Sequence, residues 1–91
     1  MNAVVGSGLA PTTILEHVDS ISVCLSKGLG TPVGSVVCGT SAFIHLARRA
    51  RKMLGGGMRQ AGVLAVCGLY AIDNNIARLK EDHETARACA G

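Results

Sequence analysis

The chain is 91 residues long, 48% apolar and of net charge +3, with one Phe, one Tyr, no Trp and 12 glycines. That length holds at most one small domain, and so few bulky side chains leave little to offset the entropy of folding. The opening "MNAVVGSGLAPTT" lacks the basic and apolar stretches of an export signal. The longest uncharged apolar run, Ala61 to Ile72, is too short to cross a bilayer. Composition therefore argues against export and membrane spanning and for a cytoplasmic setting, with an organelle left open.

In chain order, Pro11 followed by "TTILEHV" predicts a short helix entered at a proline, where the missing N–H costs nothing. "DSISVCLS" alternates, with Ile21, Val23 and Leu25 on one face and Ser22, Cys24 and Ser26 on the other, which predicts a strand. "GSVVCG" reads as a second short strand. The link between them, Ser26 to Ser35, is too short for a helical crossover, so the two should pair antiparallel.

Next comes a helix capped by Thr40 or Ser41, with Phe43, Ala47, Ala50 and Leu54 as a narrow apolar stripe and Arg48, Arg49, Arg51 and Lys52 on much of the remainder. "GGG" at Gly55 to Gly57 ends it. A longer helix is predicted over roughly Ala61 to Leu79. Its first half is apolar or small all round, as a helix enclosed on every side would be. The charged tail "KEDHETARACAG" begins a further helix.

Cys24, Cys38, Cys67 and Cys89 form no CxxC pair and have no His at ligand spacing. They read as small buried core residues of a reducing compartment, and no metal site is expected. His17, His45 and His83 read as surface histidines. The basic cluster Arg48, Arg49, Arg51 lacks interleaved aromatics and any nucleic-acid motif, which argues against nucleic-acid binding.

Lys27 is the residue that this inventory does not absorb. It stands between two short apolar runs, and Gly28, Gly30 and Gly34 follow it. A solvated turn lysine accounts for the pattern. So does an amine held among apolar strands beside a close-approached backbone, where it becomes a nucleophile toward carbonyl carbon, the chemistry of Schiff-base formation.

The runs "SISVCLSKGLGTPVGSVVCG" and "ARRARKMLGGGMRQAGVLAVCGLYAI" resemble the low-specificity L-threonine aldolases, in the threonine aldolase and beta-eliminating lyase group of pyridoxal-phosphate enzymes of fold type I. The resemblance covers essentially the whole chain. Serine hydroxymethyltransferases, chemically close, surround their lysine with threonines and a histidine that this sequence lacks.

The resemblance implies an α/β fold in which residues 1–91 form part of a large cofactor-binding domain: a short helix, an antiparallel strand pair around the lysine, and two long helices. It implies that Lys27 holds pyridoxal 5'-phosphate as a Schiff base, and that Arg59 of "GGGMRQ" reaches the cofactor phosphate of a neighbouring subunit with help from Lys52. It further implies cleavage of L-threonine or L-allo-threonine, β-hydroxy amino acids, to glycine and acetaldehyde by a homo-oligomer, expected to be a tetramer.

The family's ring-stacking histidine, its aspartate on the ring nitrogen, its carboxylate-binding arginine and its phosphate cradle match no position here. The sequence thus reads as an N- and C-terminally truncated piece, inactive alone. A non-catalytic product that binds aldolase subunits, or one with no function, is the alternative. A marginal or aggregating monomer is expected.

Overall fold

A computed structural model describes residues 1–91. The elements run α1 (Asn2–Ser7), α2 (Pro11–Leu15), β1 (Ser20–Cys24), β2 (Ser35–Gly39), α3 (Ser41–Met53), α4 (Gly62–Asn74) and α5 (Leu79–Ala90). The fold is mixed α/β, with five helices and one two-stranded antiparallel sheet. The register sets Ser20 opposite Gly39, Val23 opposite Val36 and Cys24 opposite Ser35.

Local chemistry explains most of the boundaries. Pro11 opens α2 at its first turn. Thr40, rather than Ser41, caps α3: its Oγ1 accepts the Phe43 N–H at 3.2 Å. At the other end of α3 the Gly55 N–H donates to Lys52 O at 3.2 Å and the Gly56 N–H to Arg51 O at 2.8 Å. Those two bonds, with Gly55 at φ 81°, make a Schellman motif, which needs a residue without a Cβ at that left-handed position. Helix α5 carries Glu81 and Asp82 in its first turn and Arg87 in its last, in keeping with the helix dipole.

Four expectations are corrected. Helix α1 was not foreseen. Gly6 and the β-branched Val4 and Val5 are weak helix formers, and the turn is held instead by the Gly8 N–H on Val4 O and by packing against α5, where His83 is half-buried beside Gly6. The helix predicted to run to Leu79 stops at Asn74, and α5 begins after a four-residue turn. The half-buried residues of α3 are Ile44, Ala47 and Ala50, whereas Phe43 and Leu54 are exposed, so the stripe is rotated toward β2. Cys24, Cys38 and Cys89 are exposed and Cys67 half-buried, so the thiols are not core residues in this chain.

The core is small. Leu25, Leu29, Ala71 and Leu79 are its buried apolar residues, with Met1, Val5 and Ile76 packed around them. It lies where the turn after β1 meets the end of α4 and the start of α5. Helix α4, read as enclosed, instead leaves Val63, Val66, Leu69 and Tyr70 more than 60% exposed. Every residue of β2 is exposed.

Two global measures agree with that picture. The accessible surface is 6986 Å², against about 5,000 Å² for a compact monomer of this mass. The radius of gyration is 15.2 Å, against about 12 Å for a compact domain of this length. No helix is long and apolar enough to cross a membrane.

Candidate active site

The segment after β1 is built around alternate anchoring. Leu25 and Leu29 are buried in the core, and Lys27, midway between them, is exposed. The backbone fixes that arrangement. The Leu25 N–H donates to Gly34 O at 2.9 Å and the Thr31 N–H to Leu25 O at 3.2 Å, so residues 26 to 30 project as a closed loop beyond the hairpin ladder. Inside it, the Gly30 N–H donates to Lys27 O at 2.9 Å and closes a tight turn on the lysine itself.

Gly28 has a packing reason for lacking a side chain. A Cβ there would lie 2.6 Å from Leu79 Cδ2, closer than side-chain carbons pack, and a tight 3.3 Å from Asn2 Nδ2. The start of α5 and the start of α1 therefore press directly on the backbone next to Lys27. A further tie comes from Asn75, whose Nδ2 donates to Leu29 O at 2.7 Å. Thr31, 8% exposed, has a buried Oγ1 without a hydrogen-bond partner.

Lys27 borders a cavity of about 260 Å³ whose other walls include Asn2, Ile21, Val23, Cys24 and Leu29. The niche is neither sealed nor dry: Lys27 is exposed, and the flanking strands are not interior. That corrects the expectation of an amine held among interior apolar strands, because a two-stranded hairpin with both outer edges unpaired cannot exclude water.

Arg59 and Lys52 lie elsewhere. Both are exposed, at the connection between α3 and α4, and neither lines the cavity beside Lys27. The two belong to one local unit. Lys52 lies across Gly57, its Nζ 3.3 Å from where a Cβ on that glycine would be, and Arg59 follows two residues later. Gln60, next to Arg59, adopts φ 57°, a left-handed conformation uncommon for a residue with a side chain. The fold thus groups the two cations with each other and keeps them out of the lysine cavity.

Asn75 is the site residue that sequence reading missed, since it was absorbed into a continuous helix. The consecutive Asn74 and Asn75 were the available signal, because asparagine competes with helical backbone bonding and favours helix ends.

A turn-borne lysine on a helix-flanked hairpin, with a separate pair of cations on a glycine-rich connection, marks this as an α/β segment bearing a candidate amine site. The chain belongs to the beta-eliminating lyase family, whose model matches residues 1–91. It is 56% identical over 85 residues to the low specificity L-threonine aldolase of Escherichia coli K12, an alignment covering 93% of this chain and 26% of that protein. It is 52% identical over 89 residues to the probable low-specificity L-threonine aldolase 2 of Arabidopsis thaliana, covering 98% of this chain and 25% of that protein. With the Candida albicans low-specificity L-threonine aldolase the identity is 42% over 86 residues, covering 94% and 23%. The chain spans about a quarter of the length of these relatives.

Proposed function

We propose that this chain supplies the lysine-bearing segment of a pyridoxal-phosphate-dependent threonine aldolase, which cleaves L-threonine and L-allo-threonine to glycine and acetaldehyde. The observation that carries the reading is the high identity, over nearly all of this chain, to proteins named as L-threonine aldolases. Pyridoxal phosphate, when bound, supplies an aldehyde for an amine to condense with and a ring that accepts the electrons released as Cα–Cβ breaks.

The residues present suit such a group. The Lys27 amine is exposed beside a cavity, on a turn whose backbone at Gly28 is packed by Leu79 and Asn2. Lys27 Nζ is the nucleophile, carried on a turn between the buried anchors Leu25 and Leu29. Arg59, with Lys52 beside the same connection, offers paired donors and a compact charge to a phosphate. These cations do not line the lysine cavity of their own chain, and in this reading they serve the site of another copy in a homo-oligomer. Exclusion of water from Lys27 falls to surfaces that this chain does not itself provide.

The test is direct. Incubation with pyridoxal phosphate, borohydride reduction and peptide mapping should place the reduced adduct mainly on Lys27 and much less on Lys52 and Lys80, and Lys27→Ala should abolish it. An adduct spread evenly over the three lysines would overturn the assignment.

A second reading, that the chain binds aldolase subunits without turnover, is favoured by the uncovered apolar surface of α4. Capture of a full-length threonine aldolase by this chain, combined with no release of glycine from L-threonine, would select it.

A further inference from the structure

Resting on the reading of Lys27 as the cofactor-bearing amine, we propose that Asn75 is a positioning residue that sets the orientation of the Lys27 turn. One peptide plane, between Leu29 and Gly30, carries two hydrogen bonds of this turn. The Leu29 carbonyl and the Gly30 N–H belong to the same rigid unit, because the amide bond does not rotate. The Gly30 N–H donates to Lys27 O at 2.9 Å. The Leu29 O accepts from Asn75 Nδ2 at 2.7 Å. One plane is therefore held from both sides, by the backbone of Lys27 and by the end of α4.

Without the second hold the plane is poorly restrained. Gly28 and Gly30 flank Leu29, and Gly30 already sits at φ 73°, so rotation of this peptide meets little steric resistance. Rotation would carry the Gly30 N–H away from Lys27 O and release the lysine backbone. The buried Leu29 side chain cannot prevent it, since it anchors the Cα and not the plane.

Asn75 is in turn fixed by its own backbone. Its N–H donates to Ala71 O at 2.8 Å and ends α4 at that point. The other side-chain hydrogen bonds of the structure span at most 11 residues, whereas this one spans 46 and joins the lysine turn to the helical layer.

The test compares pyridoxal phosphate capture among the three lysines of the full 91-residue chain, so that Lys52 and Lys80 act as internal references. Asn75→Asp keeps the shape but presents only acceptors at neutral pH. Trapping at Lys27 should fall about fivefold relative to the other two lysines, the scale of one lost net hydrogen bond. Amide exchange at Gly30 should accelerate while that at Leu79 stays unchanged. Asn75→Gln, which keeps an amide donor, should restore part of the preference.

If Asn75→Asp loses its far-UV circular dichroism, Asn75→Ala, which removes the donor without adding charge, takes its place. A folded variant of either kind that traps at Lys27 as the wild type does would overturn the positioning role. So would a loss accompanied by equally faster exchange at Leu79, which marks a general loosening. A wild-type chain with no preference for Lys27 fails differently: it removes the underlying assignment of the lysine, and the proposal with it.

Discussion

The uncovered surface of the chain, the apolar face of α4 included, should make it associate. The accessible surface exceeds that of a compact monomer of the same mass by about 2,000 Å². A standard interface takes about 800 Å² from each partner, so the excess is more than twice what one such contact covers. Taking a little over half of it as apolar, at about 25 cal/mol per Å², gives a gross drive on the order of 28 kcal/mol before the costs of association are subtracted. Even a small surviving part of that suffices for association at micromolar concentration.

The perturbation that tests this is Val63→Glu, Val66→Lys and Tyr70→Glu together. These three positions share one helical face and are each exposed by more than 60%. Sedimentation velocity at 5 to 50 micromolar (roughly the range that separates weak from moderate association) should show concentration-dependent species for the wild type and a shift toward monomer for the variant. The wild type should also bind a dye for exposed apolar surface and melt without a sharp transition. A wild-type monomer across that range, with a steep cooperative melt, would refute the reasoning, because the surface would then be tolerated by water as it stands.

Two further outcomes concern single positions. Gly28→Ala places a methyl 2.6 Å from Cδ2 of the buried Leu79 and should cost about 1–3 kcal/mol, read as faster amide exchange at Leu79. Gly62→Ala, which meets nothing within 4 Å, should show no such loss. Thr40→Ala removes the acceptor for the Phe43 N–H and should cost about 1 kcal/mol, seen as faster exchange in the first turn of α3, while Ser41→Ala should be nearly neutral.

Much of the fold was legible because local rules governed it. The alternation at Ile21, Val23 and Leu25, the ten-residue link and the glycines at 55 to 57 each constrain backbone geometry through neighbours in sequence. The strand pair, its antiparallel sense and both ends of α3 therefore appeared where they were expected. For Lys27 the local pattern fitted a solvated turn lysine as well as a reactive amine, and it was the resemblance of the flanking runs that singled the residue out.

The remainder depended on residues far apart in the chain. Helix α4 gives way after Asn74 to a turn whose Asn75 side chain bonds a carbonyl 46 residues earlier, and α1 packs against α5 at the other end of the chain. Gly28 is a glycine on account of Leu79, a pressure that no window of sequence contains. The exposure of Lys27 was likewise a tertiary outcome: a hairpin with both edges uncovered lets water in, whatever the polarity of its side chains. Sequence alone thus determined the strand pair, α2 and the limits of α3, because hydrogen bonding and periodicity act within a few residues. Only the assembled chain decided where α4 stops, what presses on the lysine turn and how wet it is, because burial and close contact are properties of surfaces brought together.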